Sequence, residues 1–425
     1  MYMHGTSRVN ESGHLEIGGV DTVQLAAEYG TPLFVYDTAL IRERARQFKQ
    51  AFKDEGVNYQ VAYASKAFSC IAMIQLADEL GLSLDVVSGG ELYTALQAGM
   101  PMERVHFHGN NKSIDELKMA VEAKVGCIVV DNFYELIELE RICADYGDKI
   151  SILLRITPGV EAHTHEYIST GQEDSKFGFD LISGQAKEAI RLASESHHLD
   201  LIGIHCHIGS QIFEASGFVM AVEKIFTHIE EWRHALSFVP KVLNLGGGFG
   251  IRYIEGDTPQ PVGEYVKTII KVVKDKAATF AIDMPAIWIE PGRSLVAMPE
   301  RRYIRSGLKK DIPDVRRYLA VDGGMSDNLR PALYQARYEG MLANRAMEQA
   351  EETFSIAGKC CESGDMLIWD LPLPDAQHGD LLAVSCTEPT DMRWPIIIIV
   401  FRVRRLCLLK MEKSSLLLNV SNTRI

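Results

Sequence analysis

The chain has 425 residues, 47% apolar and 24% charged, the composition of a soluble globular protein long enough for two domains or one large barrel with an attachment. With 44 basic and 57 acidic side chains the net charge is −13, which argues against nucleic acid as a partner. No secretory signal is read at the start, and the apolar run Pro395–Phe401 is too short to span a bilayer. Eight cysteines without a C-x-x-C spacing fit reduced thiols in a cytoplasm rather than a disulfide framework or a zinc site.

Leu33-Phe34-Val35-Tyr36 reads as a short strand after the turn at Gly30-Thr31-Pro32, and Leu40–Phe52 as a polar-faced helix. From residue 57 a rhythm sets in of β-rich run, turn and helical run. The predicted strands are Tyr59–Ser65, Leu84–Ser88, Arg104–Gly109, Gly126–Asp131, Ile150–Ile156, Leu201–His207, Lys241–Gly246 and Ala286–Glu290. Amphipathic stretches such as Ser113–Ala123, Phe133–Asp145, Phe218–Ala235 and Gly263–Ala278 lie between them. Eight such alternations predict a closed (β/α)8 barrel, with a doubly wound open sheet as the rival. Asp174–Asp180 reads as part of a longer loop on the catalytic face. After Arg293 short alternating runs appear, Arg317–Val321, Thr353–Ala357, Met366–Leu371 and Leu381–Cys386, and predict an all-β domain. The barrel starts near residue 57, so residues 1–35 are free to add a strand to that domain.

Chemistry gathers at the predicted strand ends, where a barrel keeps its active site. Tyr63-Ala64-Ser65-Lys66-Ala67 delivers one lysine at the end of an apolar run. Burial there would lower its pKa and make its amine nucleophilic, although a lone strand-end lysine is more often a snorkelling surface residue. His205-Cys206-His207-Ile208-Gly209-Ser210 puts two imidazoles on one face. A metal would need two further ligands that the spacing does not supply. A histidine over a flat cofactor ring, with Ser210 donating to a phosphate, fits equally well, and so does a hydrogen-bonded core histidine. Gly246-Gly247-Gly248-Phe249-Gly250 suits a phosphate cradle or a tight turn, but lacks the Lys-Ser/Thr of a nucleotide loop. Glu290-Pro291-Gly292-Arg293 is either an ion pair or a carboxylate for a heterocyclic nitrogen beside an arginine for an anion. Jointly these are the parts needed to hold pyridoxal 5′-phosphate (PLP) through a lysine.

The motifs YASKA, DVVSGGE, HCHIGSQI, NLGGGFG, EPGRS, DGGMSDN-x-RPALY and CCESGD, spread over about Gly30 to Thr387, resemble the diaminopimelate decarboxylase family of alanine-racemase-like (fold type III) PLP enzymes. The resemblance implies that Lys66 carries the cofactor, His207 stacks on its ring, Ser210 and Gly246, Gly247 and Gly248 hold its phosphate, and Glu290 keeps its pyridine nitrogen protonated. It implies that Asp85 lies near Lys66, and that Arg293, Arg330 and Tyr334 take substrate carboxylate and amino groups. Cys361 would protonate the decarboxylated carbon and Glu362 would bind the distal amino-acid centre. Both would arrive from the partner of a head-to-tail homodimer. The implied reaction converts meso-2,6-diaminopimelate to L-lysine and carbon dioxide, the last step of lysine biosynthesis. The implied domains are an N-terminal segment at 1–36, a PLP-binding barrel at 37–292 and a β domain at 293–387.

Two stretches depart from the family. After Cys386-Thr387 it has a segment like GAYGYAMANNYNRI, whose first tyrosine helps hold PLP, where this chain reads EPTDMRWPIIIIV. One nucleotide string encodes the first peptide and, with its first base dropped, the second. Residues 388–425 therefore read as an out-of-frame tail. A compensated shift over Met298–Ser306 likewise converts MPERRYIRS into AGTTLYTVG, the family's strand here. As written, the chain sets charges in a partly buried β connection, which is costly. It also loses a phosphate-side tyrosine and at least one strand, and exposes a sticky Ile396–Phe401 run. Weaker PLP binding, poorer dimerisation and aggregation are expected. The alternatives are a decarboxylase of another basic amino acid or of a carboxylated polyamine, a racemase, a non-catalytic PLP carrier, and a relative impaired by its altered C-terminus.

Overall fold

The computed structural model describes residues 1–160 and 175–387, and beyond them the backbone of 405–410 and 413–418. It divides into two compact units, residues 45–250 with 258–294, and residues 1–44 with 251–257 and 295–425.

In the first unit eight parallel strands close on themselves. With β1 kept for Leu33–Asp37 of the other unit, they are β2 (Tyr59–Ala64), β3 (Ser83–Val86), β4 (Val105–Phe107), β5 (Cys127–Val130), β6 (Ile150–Thr157), β7 (Leu199–His205), β8 (Val242–Asn244) and β9 (Ala286–Ile289). The ring closes where β9 pairs in parallel with β2, Ile287 opposite Tyr59. Closure excludes the open-sheet rival, and each strand lies within two residues of the predicted start. Sequence makes the helices between strands as expected. Ser113 caps the helix Ile114–Ala123 in a capping box with Glu116, and Asn132 caps Phe133–Tyr146. Cys127, Val129, Leu153, Val242 and Trp288 fill part of the barrel interior. Of the loop predicted around Asp174–Asp180, residues 161–174 lie outside the described residues; Phe179–Asp180 adds a short parallel pairing to β6.

In the second unit β1 pairs antiparallel with β10 (Glu300–Ile312), so N-terminal residues do join the β domain. β10 also pairs with β11 (Arg316–Val321), which continues to β12 (Glu352–Ala357) and β13 (Met366–Leu373). On its other register β10 pairs with β14 (Leu381–Ser385). One apolar core holds Ile304, Leu319, Phe354, Ile356, Leu371 and Leu382, and the other holds Leu15, Leu25, Leu33, Val35, Tyr303 and Ala383. Neighbouring residues Tyr303 and Ile304 thus feed opposite cores, as strand alternation requires.

The charged stretch Glu300-Arg301-Arg302 is therefore a central strand, with side chains 0%, 1% and 1% exposed. Arg301 stands between Val35 and Ser385, and Arg302 between Phe34 and Val384. Arg301 Nη1 donates to Met298 O and Glu300 O at 3.0 and 2.9 Å. Its Nε and Nη2, and the Nε and Nη1 of Arg302, are buried without a hydrogen-bond partner. Glu300 Oε1 accepts from Thr387 Oγ1 at 2.6 Å, and burial pushes its carboxyl up to about 7. The expected cost of charge in this connection takes this concrete form.

Residues 388–404, with the Ile396–Phe401 run, lie outside the described residues. The tail does not simply remove a strand, however. The backbone of Arg405–Lys410 pairs in parallel with the open side of β1 and antiparallel with Lys413–Leu418. Apolar Leu-rich runs have the composition to add to an exposed strand edge.

Candidate active site

Lys66 sits on the single 3-10 turn Ser65–Ala67 that follows β2. Two contacts shape that turn. Tyr63 Oη donates to Phe68 O at 2.7 Å, and Ser65 Oγ donates to Glu91 Oε2 at 2.7 Å. The same Glu91 oxygen accepts from Val87 N at 3.0 Å, so the glutamate of DVVSGGE ties the ends of β2 and β3 together. Contrary to the expectation of a buried amine, Lys66 is exposed. It stands at the mouth past the strand, within electrostatic reach of Asp85 and His207.

The glycine run after β8 is required by packing. A Cβ on Gly247 would lie 2.2 Å from Glu290 O, and one on Gly248 2.2 Å from Gly209 O. Gly246 and Gly248 take φ values of 69° and 99°, favouring glycine. Ile212 N donates to Gly248 O and Gly250 N to Ile212 O, both at 2.9 Å. The loop carrying His207 and Ser210 is thereby clasped to the glycine loop. Gly247 N donates to His207 Nδ1 at 3.2 Å. Burial lowers the His207 pKa to about 3, so its ring is a neutral plate rather than a cation. Small residues, presented backbone and a flat imidazole at one mouth fit a phosphorylated aromatic cofactor.

Beneath this lies a buried polar cluster that the sequence reading only partly foresaw. Glu290 follows β9 with both oxygens engaged. Asn244 Nδ2 donates to Oε1 at 2.6 Å, His108 Nε2 is 2.9 Å from Oε1, and His205 Nε2 is 3.2 Å from Oε2. Despite burial, these imidazoles hold the Glu290 carboxyl well below the usual range. Asp85, inside β3, is 3.7 Å from the same His108 nitrogen, and burial raises its pKa to about 6. Its Oδ1 is buried without a hydrogen-bond partner. Arg155 of β6 lies 3.7 Å from Asp131, with its guanidinium 4.3 Å from the Phe177 ring centre. His108 and Asn244 lie within HGNNK and NLGGGFG and Arg155 within β6, and none of the three is a candidate on the sequence alone. The useful signal is a polar residue inside an otherwise apolar barrel strand or just past its end.

Lys66, Asp85, His207, Ser210, Gly246–Gly248, Glu290 and Arg293 all belong to the barrel unit. Arg330, Tyr334, Cys361 and Glu362 belong to the other. There Arg330 Nη1 donates to Tyr253 Oη at 2.9 Å from the short helix Arg330–Tyr334. Cys361 and Glu362 are exposed on a turn held by Asp365, which accepts from Cys360 N at 2.7 Å and Met325 N at 2.5 Å.

Residues 38–297 match the family described as pyridoxal-dependent decarboxylase, pyridoxal binding domain, and residues 294–387 the corresponding C-terminal sheet domain. The chain is 71% identical over 387 residues to the diaminopimelate decarboxylase of Halalkalibacterium halodurans, covering 91% of this chain and 88% of that one. It is 65% identical over 387 residues to that of Bacillus subtilis, with coverage of 91% and 88%. The crystal structure of diaminopimelate decarboxylase from M. jannaschii in co-complex with L-lysine superposes with a TM-score of 0.89 at 33% identity, covering 98% of this chain and 95% of that one.

Proposed function

The chain belongs to the pyridoxal-dependent decarboxylases, with diaminopimelate decarboxylases as its near relatives, and from that premise we infer that it converts meso-2,6-diaminopimelate to L-lysine and carbon dioxide. It is a PLP-dependent carboxy-lyase. The observation carrying the site assignment is the convergence of Lys66, His207, the glycine cradle and Glu290 at one barrel mouth.

When bound, PLP supplies the electron sink that accepts the pair left behind as carbon dioxide departs. Lys66 offers the amine that anchors the cofactor. Gly246, Gly247, Gly248 and Ser210 would give the phosphate backbone and hydroxyl donors, and neutral His207 would offer its flat imidazole to the ring. Glu290, ionised and set among Asn244, His108 and His205, would keep the pyridine nitrogen protonated. Asp85 lies beside Lys66 as a second carboxylate. Arg293, Arg330 and Tyr334 take the carboxylate and amino groups of the substrate, Glu362 binds the distal centre, and Cys361 holds the proton delivered to the substrate Cα. Cys361 and Glu362 act from the partner of a head-to-tail homodimer in the cytoplasm. The working boundaries are 37–292 for the barrel and 293–387 for the β domain.

The out-of-frame reading belongs to the same proposal. The C-terminal family match ends at residue 387, and the charged central strand is out of keeping with its apolar neighbours. Both support frame changes at 298–306 and after Thr387. Resequencing the gene tests this: clean in-frame codons in an independent isolate would remove it.

Carbon dioxide release from meso-diaminopimelate, beside ornithine and arginine, tests the substrate. Lys66→Ala should abolish turnover and the borohydride-reducible link to PLP. Faster release from ornithine would overturn the substrate assignment, and a retained link would overturn that of Lys66.

A further inference from the structure

The barrel holds three interior imidazoles near one carboxylate, and they are not equivalent. The His106 ring stacks on Trp288, with ring centres 4.6 Å apart. His205 touches only one Glu290 oxygen, at 3.2 Å. His108 alone stands between two carboxylates, 2.9 Å from Glu290 and 3.7 Å from Asp85. The His108 and His205 rings are 5.0 Å apart and meet edge to face, so two buried imidazolium ions would repel at close range. One charge is favoured, and the geometry puts it where two anions share it.

We propose that His108 is a positioning residue for the decarboxylation: set between Asp85 and Glu290, it carries the positive charge against which Glu290 stays ionised and aimed at the pyridine nitrogen. The inference rests on the role given above to Glu290. The groups facing His108 are Asp85 from β3, Glu290 after β9, His205 from β7, and Lys112 and His106 from its own side of the barrel. Burial and Lys112 disfavour the imidazolium, but the two carboxylates outweigh them and raise the His108 pKa. Burial instead lowers His205 to about 4 and His106 to about 3. The cluster therefore sorts its protons. Of the three imidazoles His108 takes the proton most readily and its two neighbours are neutral, while Glu290 is an anion and Asp85 is the carboxylate that protonates first as the pH falls.

His108→Gln keeps a donor near Glu290 and removes the charge. In the holoenzyme it should lower kcat roughly 10-fold near neutral pH with KM changed about twofold or less, and move the acid limb of the kcat profile up by about one unit, because Glu290 then protonates more readily. PLP binding to the apoenzyme, followed by fluorescence quenching, should weaken in the same acid range. A purely structural role would lower kcat alike at every pH. A pH profile and PLP-binding curve superposing on those of the unsubstituted enzyme would overturn the proposal. Glu290→Gln is the separate control. If it leaves kcat intact, the Glu290 assignment fails, whereas a crippled Glu290→Gln beside a normal His108→Gln rejects only the present inference. Histidine carbon NMR of the unsubstituted apoenzyme needs no variant to fold. One buried imidazole should hold its proton to a higher pH than a free histidine does, and finding none would also overturn the proposal.

Discussion

Two lysines follow barrel strands, and their surroundings separate their chemistry. Lys112 is the buried one. Its ammonium donates to Gly109 O, Val129 O and Glu135 Oε1 at 2.8, 2.8 and 2.7 Å. Three donors with three acceptors leave it a structural tie between strand ends. Lys66 is exposed at the mouth, within electrostatic reach of Asp85 and His207. Burial would thus point to Lys112, and the neighbours are what favour Lys66 as the lysine proposed to carry the cofactor. The cradle follows the same logic at the scale of one methyl group. Gly247→Ala places a Cβ 2.2 Å from Glu290 O, so the loop must shift and disturb the carboxylate below it. PLP affinity of the apoenzyme, measured by fluorescence titration, should fall at least about 10-fold, equivalent to about 1.4 kcal/mol. Unchanged affinity would show that the loop does not touch the cofactor.

Among the elements, β10 sets the strongest local penalty. Buried ionic groups cost more in desolvation than imperfect pairing returns, and replacing them with apolar groups is often stabilising by about 1–4 kcal/mol. Glu300→Thr with Arg301→Thr and Arg302→Leu, the residues of the alternative frame, should therefore raise the urea midpoint. Glu300 adds a pH dependence whose sign follows from linkage. Its pKa rises from 4.5 unfolded to about 7 folded, so the folded state holds the proton more tightly. Its contribution is fully present below 4.5 and is lost as the pH climbs to about 7, a loss of about 3 kcal/mol. Urea melts at about pH 5 and about pH 8 should differ in this direction in the parent and lose much of the difference in the triple variant. The same strand marks the limit of what was legible. The barrel strands announce themselves because they are short apolar-rich runs bounded by turns. Glu300–Ile312 is a strand of charged residues, and only the register with Leu33–Asp37 and Leu381–Ser385 identifies it. The site divides likewise. Lys66, His207, the glycines and Glu290 were legible as strand-end residues. His108 and Asn244 show locally only as polar residues at the end of an apolar run, and their meeting at Glu290 depends on how the strands are arranged around the barrel.

At the scale of the whole molecule, the proposed reaction needs a proton source and a distal-centre contact that the barrel motifs do not contain. Cys361 and Glu362 lie in the other unit, on the exposed turn ordered by Asp365. An exposed thiol and carboxylate on a fixed turn suit an approach to a second copy of the chain, and a head-to-tail pair of such copies would complete two sites at once. Subunit exchange separates this arrangement from a site built within one chain. Lys66→Ala and Cys361→Ala should each be nearly inactive alone. In a mixed dimer one site would carry both substitutions and the other neither. After dissociation and reassociation of an equal mixture, half the dimers are mixed and half their sites are intact, so activity should return to about a quarter of the unsubstituted rate. Sites formed within single chains would stay inactive at every mixing ratio. The recovered fraction, measured as carbon dioxide release against mixing ratio, also reads the tail. If residues 388–425 impair dimerisation, recovery should depend on total protein concentration, rising towards a quarter only where dimers are saturated.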